Sequence, residues 1–494
     1  MRSPLIVWLV SLLLSVAIAG CGGGGGEPAT AAAPPPDNTV PPPPTNTAPT
    51  LLITSNASGS EATFSRGGSI DQTNPFFKPF GNGRSCASCH QPTDGWTITP
   101  AKVLARFNQT GGQDPLFLIH DGANSPQADT STIAARRAAY SMLLSKGLIR
   151  MGLPMPPNAE FDLVQVDDPY GFASSGQLSL FRRPRPSTNL TLSAAVMWDG
   201  RETHKDPTSS LCIAGTSDCF RSLEFNLGSQ ANGAVVGHAQ AIVNLTPAEQ
   251  SAIVDFEKAL FTTQIFDVNA RSLTGAGGKG GPLALSGTDY YFGINDLIAG
   301  DYRTRAPFTS TAMNLFDAWN TTSGSLADPD TPPSDVAAVT AARQAVARGQ
   351  TIFNGRQFVI NNVRGMPGPL VTGTCATCHN APNVGGNSVP LLFDIGVSDA
   401  VNRTPDMPLY TLRNRVTGAT IQTTDPGAAL ISGKWDDVGR FKVPVLRGMA
   451  SRPPYFHDGT GRDLTDVVNF YNVRFNMGLT AAEISDLAAF MGAL

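Results

Sequence analysis

The sequence predicts a mainly α-helical protein of two similar units, with long loops and insertions. Three observations predict it. The pentapeptide Cys-x-x-Cys-His occurs twice, as Cys86-Ala87-Ser88-Cys89-His90 and as Cys375-Ala376-Thr377-Cys378-His379, one copy in each half of the 494 residues. A comparable lead-in precedes each copy, Phe64-Ser65-Arg66-Gly67 before the first and Ala347-Arg348-Gly349-Gln350-Thr351-Ile352-Phe353 before the second. Between them, segments with apolar residues at helical spacing follow capping signals, and stretches rich in Pro and Gly separate these as loops.

The chain opens with Arg2 and an apolar run from Leu5 to Ile18, followed by Ala19-Gly20-Cys21. That is the shape of a signal peptide over residues 1–20, and small residues directly before a cysteine make Cys21 the candidate for a lipid-modified N-terminus. The alternatives are a plain signal peptide or a short anchor, though the run falls short of the ~18 to 20 apolar residues of a span. Residues 21–50, almost wholly Gly, Pro, Ala and Thr, read as a tether with nothing to form a core. Residues 51–320 are then assigned to the first unit, the polar stretch 321–333 to a linker and 334–494 to the second unit. Within them, helices are expected at Ala134 to Gly147, from the capping box Thr246-Pro247-Ala248-Glu249 to about Phe261, and from Ser334 to Phe353. Two more are expected near the end: one presents Leu464, Val467, Val468 and Tyr471 on one face, and the last is capped by Thr480 and Glu483 and runs to Leu494. From Arg150 to Arg185, loops and short strands are expected, and Gly275 to Gly281 reads as a surface loop without the flanking pattern of a phosphate site.

Cys-x-x-Cys-His is the attachment signature of a c-type haem: the two thiols add to the porphyrin vinyl groups and the adjacent imidazole ligates the iron. A zinc half-site or a redox dithiol could use the same residues, but zinc needs two further ligands at each motif, and no second close cysteine pair supplies them. The seven cysteines divide without remainder: Cys21 for lipid, Cys86, Cys89, Cys375 and Cys378 for haem, and Cys212 with Cys219 for a disulfide across a short loop. His90 and His379 become the proximal ligands, leaving four other histidines, His120, His204, His238 and His457. A net charge of -4 with 15% charged residues provides no basic footprint, so nucleic acid is excluded as a partner class.

Met197-Trp198-Asp199-Gly200-Arg201, Leu227-Gly228-Ser229-Gln230-Ala231 and Phe441-Lys442-Val443-Pro444-Val445-Leu446-Arg447, with Pro454-Tyr455-Phe456-His457-Asp458-Gly459, resemble segments of the bacterial dihaem cytochrome c peroxidases, a family that includes MauG. The resemblance spans both haem units in order and leaves residues 99–184 and 262–332 as apparent insertions. It implies that Trp198 lies between two haems as an electron relay, although an indole in a core is the plain alternative. Gln230 matches a distal-pocket glutamine. The family's acid–base glutamate falls near Gln240, where no carboxylate stands, so His238 is the candidate to take over proton transfer, a structural histidine being the alternative. The second iron's far ligand falls fourteen residues after His457, at Tyr471, with Met449 and Met477 as rivals. No histidine lies between Asp168 and Met197, where the first iron's removable ligand is expected, so that iron is open unless His120 reaches it. The family's interhaem calcium is held partly by backbone carbonyls at the positions of Arg452 and Pro454.

The expected function is that of a peroxidase-like dihaem oxidoreductase of the bacterial cell envelope, facing periplasm or exterior and meeting the membrane through its lipid alone. Hydrogen peroxide would be reduced at the haem of His90, with electrons from a small cytochrome, a cupredoxin or another redox partner. Two other classes fit the motifs: a non-enzymatic electron-transfer lipoprotein, and an oxygenase acting on an external organic substrate.

Overall fold

Helix starts follow the side-chain chemistry of the sequence. In the computed structural model, which describes residues 50–494, Thr246 accepts the Glu249 N–H at 3.2 Å while the Glu249 carboxylate accepts the Thr246 N–H at 3.0 Å. This reciprocal cap opens the helix Pro247–Ala259, which stops short of Phe261 because Leu260 already begins the strand Leu260–Asp267. The same box at Thr480 opens Ala481–Gly492, and the Asp463 side chain caps Leu464–Arg474. The helix expected from Ala134 to Gly147 is two helices, Ile133–Ala139 and Ser141–Lys146. Tyr140 interrupts them: its ring is buried and its hydroxyl donates to the Phe117 carbonyl at 2.9 Å, which draws the backbone out of register. The helix predicted from Ser334 runs from Val336 to Gly355. The signal peptide over 1–20, the lipidated Cys21 and the tether up to residue 49 lie outside the described residues.

Strands take a larger share than a mainly α chain implies. Ten α-helices and thirteen strands lie among the described residues, so the helical expectation is met in part. An antiparallel sheet joins Leu51–Asn56, Gly59–Ser65, Leu260–Asp267 and Arg271–Ser272. A second sheet pairs Phe161–Asp167, from the first half, with Leu409–Asn414 from the second, and Thr420–Thr423 lies beyond it. Sheet pairing therefore ties the halves together, and residues Pro49–Leu494 form one compact unit. No helix among the described residues is long and apolar enough to cross a membrane.

Each Cys-x-x-Cys-His motif sits against its own apolar cluster. Phe76, Trp96, Ala231, Val235, Ile253 and Phe256 surround Cys86. Val346, Phe353, Ile360, Phe393, Val468 and Phe490 surround Cys375 and Cys378, and this cluster also takes in Leu273, Phe316, Trp319 and Leu326 from ahead of residue 334. The helices Val336–Gly355 and Ala481–Gly492 cross against each other at Gly349, where an added Cβ would lie 2.1 Å from the Asp486 carbonyl oxygen and 2.6 Å from the Phe490 Cβ. That contact is with backbone, so the helices must separate to admit a methyl group. Alanine gains ~1 kcal/mol of helix propensity over glycine, yet overpacking of a tight crossing costs ~1–3 kcal/mol. Gly349→Ala is therefore expected to lower stability by a net of up to ~2 kcal/mol, read as a fall in the denaturant midpoint, and a raised midpoint would contradict the tight crossing.

Candidate functional site

At both motifs the two cysteines and the histidine are brought together by one short turn. Cys86–Ser88 and Cys375–Thr377 form single 3₁₀ turns, each held by a side chain: the Ser85 N–H donates to Ser88 Oγ at 3.0 Å and the Thr374 N–H to Thr377 Oγ1 at 2.9 Å. The histidine N–H closes the turn on the first cysteine carbonyl, at 2.9 Å for His90 and 3.1 Å for His379. Each imidazole is then fixed from behind. His90 Nδ1 lies 3.1 Å from the Trp96 carbonyl oxygen, and His379 Nδ1 lies 2.6 Å from that of Gly385. With Nδ1 donating, Nε2 is left as a lone-pair donor, the orientation seen in metal-binding histidines. Burial depresses both imidazoles to about 4, which keeps them neutral.

Two cavities open on these turns. The first, about 180 Å³, is lined by Cys86, Cys89, His90, Gln230, His238 and Glu257; the second, about 210 Å³, by Cys375, Cys378, His379, Tyr471, Met449 and Met477. A common wall separates them: Arg183, Pro184, Arg185, Pro186, Trp198 and Lys442 line both. Trp198 is set in that wall by a left-handed Met197 (φ 65) and by its indole N–H, which donates to the Arg183 carbonyl at 2.9 Å. Its neighbour Asp199 is fully buried, and although burial raises its pKa, the charges of Arg182 and Arg201 hold it below the ordinary carboxylate range. Arg182 in turn grips Asp425, at 2.7 Å, so the wall is anchored in the second half.

The residues fit a haem in each cavity. All four motif cysteines carry free thiols, and burial pushes Cys86, Cys375 and Cys378 up to about 12. No group of three or more His, Cys, Asp or Glu placed to hold a metal ion lies among the described residues. The surfaces are mainly apolar, yet Arg185 and Lys442 project into both. Burial lowers the Arg185 guanidinium to about 9 and Lys442 well below its usual value, each is lowered further by a neighbouring cation, and no carboxylate offsets either. A flat apolar group carrying two carboxylates satisfies these buried cations, and a porphyrin with its propionates is such a group.

The sequence-predicted residues divide clearly. Gln230 and His238 both face the first cavity, spaced along the helix Leu223–Gly237 and its C-cap. His238 Nδ1 lies 2.8 Å from Asp121, which also receives Arg84 at 2.6 Å and has His120 Nε2 at 3.2 Å. Burial alone would raise Asp121, but hydrogen bonds from His120 and His238 and the Arg84 guanidinium hold it far below the usual range. His120 thus stays behind Asp121, outside the cavity lining, and the histidine that reaches the first cavity is His238. Gln240 is exposed, outside that lining, and accepts from the Asn82 amide at 3.1 Å. Tyr471, Met449 and Met477 all face the second cavity; burial raises the Tyr471 phenol above its ordinary value. Cys212 and Cys219 are joined in a disulfide. Of the two positions expected to hold calcium, Arg452 and Pro454, the Arg452 carbonyl accepts the Arg183 guanidinium at 3.3 Å. Sequence reading missed Asp121, Glu257, Lys442 and the Arg182-Arg183-Pro184-Arg185-Pro186 run, although three arginines in five residues of a sparsely charged chain is itself a signal.

The first motif depends on a remote carboxyl. Glu61, on the strand Gly59–Ser65, accepts the Gly95 N–H at 3.0 Å and so fixes the turn whose next carbonyl holds His90. Burial raises Glu61 to about 7 against the lowering pull of Ser451, Gly95 and Arg452. A carboxyl with a folded pKa above its unfolded value binds more protons when folded, so its folded state is favoured most below pH ~4.5 and loses stability as pH rises toward 7. At ~1.4 kcal/mol per pH unit, that loss is up to ~3 kcal/mol. Glu61→Gln is expected to flatten the stability–pH curve over this window, as read by thermal melts at successive pH values; an equally steep curve would show that Glu61 is not the group responsible.

No protein-family model matches the chain. Curated relatives do. A cytochrome-c peroxidase, IdrP1, of Pseudomonas sp. (strain SCT) is 28% identical over 167 residues, 30% of this chain and 39% of the relative. Cytochrome c551 peroxidase of Nitrosomonas europaea is 30% identical over 121 residues, 24% of this chain and 30% of the relative. The alignments thus span well under half of these relatives' length. Among solved structures, a MauG-like protein associated with microbial copper homeostasis superposes with a TM-score of 0.28 at 15% identity, over 68% of this chain and 79% of that one, too low to bear on the fold.

Proposed function

We propose, for a chain related in sequence to bacterial cytochrome c peroxidases, that it is a dihaem peroxidase-like oxidoreductase that reduces hydrogen peroxide in the first cavity with electrons that enter by the second. The observation that carries this reading is Trp198, set in a wall common to two cavities that each begin at a Cys-x-x-Cys-His turn. His90 would hold the first iron, and His379 with Tyr471 the second. A haem held in the first cavity would supply the redox chemistry for O–O cleavage. Residues of the chain supply the rest. His238, with Nδ1 engaged by Asp121, presents its other nitrogen to the first cavity, where it can take a proton from the attacking peroxide oxygen and return it to the leaving one. Gln230, on the same helix, supplies an amide to orient the peroxide. The balance is one hydrogen peroxide, two electrons and two protons to two waters, with the net protons drawn from solvent through the half-exposed His238. Trp198 is oxidisable and lies against both cavities, so it can pass electrons from the second to the first. The electrons come from a small cytochrome or cupredoxin, and a lipid on Cys21 holds the protein at the bacterial cell envelope.

Stopped-flow spectra after one equivalent of peroxide test the reading, beside electron paramagnetic resonance of the resting protein. A high-spin ferric signal and a fast peroxide reaction are expected; wholly low-spin haems that ignore peroxide would make the chain an electron carrier. His238→Ala should slow the peroxide step ~10²-fold or more and leave the high-spin signal in place. If that variant instead converts a low-spin resting haem to high-spin, His238 is an iron ligand and the acid–base role is lost. Tyr471→Phe should alter the low-spin signal alone, and an unaltered spectrum would pass the ligand role to Met449 or Met477.

A further inference from the structure

The cation between the two cavities belongs to the chain. Arg183 lies in their common wall, and its guanidinium meets three backbone carbonyls: Nη1 donates to Lys146 at 2.7 Å, and Nη2 donates to Ile98 at 2.9 Å and to Arg452 at 3.3 Å. Ile98 and Lys146 come from the first half and Arg452 from the second. Its own N–H donates to the His457 carbonyl at 2.7 Å, and its own carbonyl receives the Trp198 indole. One residue therefore touches the first half, the second half and the candidate relay. The carbonyl cluster offers the neutral oxygen donors that suit a hard divalent ion, but such an ion takes six to eight oxygens at ~2.3–2.6 Å, and a guanidinium fills the centre. Arg183 is enclosed, and burial lowers it to about 10 without displacing the charge at neutral pH.

We propose that Arg183 does here what the interhaem calcium of the resembled family is expected to do: it clamps carbonyls of both halves around Trp198, so the wall and its electron path need no divalent metal. This rests on the geometry of the wall and stands whether or not the chain proves to be a peroxidase. A guanidinium is always charged and fixed by its own backbone, so the clamp does not depend on metal supply.

The test uses the full dihaem protein. Metal analysis after purification in calcium-containing buffer is expected to find well under one calcium per chain. The melting temperature and the resting paramagnetic spectrum are expected to be the same in EGTA and in calcium chloride. About one tightly held calcium per chain, or a melting temperature or spectrum that shifts on EGTA addition and returns with calcium, would overturn the proposal. Arg183→Gln, which leaves at least one carbonyl without its donor, should lower the melting temperature by ~2–4 °C with or without calcium. It should also change the rate of electron exchange between the two haems, read by flash reduction. Arg183→Lys, which keeps the charge and loses the fork, should recover part of both. A Gln variant with parental melting temperature and exchange rate would also overturn the clamp. If the Gln variant does not fold, the calcium content and EGTA response of the parent decide the question alone. Failure of the peroxide reaction would sink the peroxidase reading without touching any of these measurements.

Discussion

The site depends on burying positive charge in a wall between two apolar cavities. Taking a guanidinium or an ammonium out of water is costly unless its donors are met, and the wall meets them in two ways. Arg182 is paired with Asp199 and Asp425, both buried. Arg183 is met by carbonyls from both halves. Arg185 and Lys442 have no carboxylate to offset them and look into the cavities. The first two fix where the wall stands, and the last two set what the cavities accept. An anionic apolar group fits both sides and would meet Arg185, while Lys442 already donates to the Ser193 hydroxyl at 3.2 Å and to the Ala195 carbonyl.

The same wall sets the surroundings of Trp198, the proposed relay. Its indole N–H is spent on the Arg183 carbonyl, the Arg185 guanidinium stacks over the ring at 4.6 Å, and the His457 ring lies 6.3 Å away, itself stacked on Phe441 at 4.0 Å. A cation over the ring face disfavours a positive charge on the indole, so oxidised tryptophan would be costly here unless the guanidinium is drawn toward an anion. The carboxylates of a bound porphyrin would do that at Arg185, and so would ease oxidation of Trp198.

Local chemistry was legible in the sequence, and chemistry assembled from distant segments was not. The capping boxes at Thr246 and Thr480, the helix face of Leu464 to Tyr471 and the paired Cys212 and Cys219 each depend on residues close together in the chain, and each was visible there. Both Cys-x-x-Cys-His turns are equally local. Asp121 escaped notice because nothing around it marks a carboxyl that will meet Arg84 and His238 from 37 and 117 residues away. Glu61 and Lys442 are alike in this respect: an ordinary charged residue on a strand gains its role only when the fold buries it. Gln240 shows the converse error. Counting along a family motif placed it in the pocket, but the helix Leu223–Gly237 ends just before it, and a left-handed residue at the end of a helix turns outward while His238 stays in.

These long-range contacts also make the two cavities chemically unequal. The first collects Arg84, Asp121, Gln230, His238 and Glu257, groups that donate, accept or hold protons. Apart from its own motif and the shared Arg183, Arg185 and Lys442, the ionisable lining of the second is Arg452, Tyr455, Tyr471 and the fully buried His457, with phenylalanine, valine and leucine between. Breaking an O–O bond to water consumes protons, so it belongs where a half-exposed imidazole on a buried carboxylate connects the cavity to solvent. Passing electrons needs only a fixed, dry surrounding that changes little with the charge it carries. Under the proposed reading the first cavity suits the former and the second the latter, a distinction that rests on the placement of Asp121 and His238 rather than on either Cys-x-x-Cys-His motif.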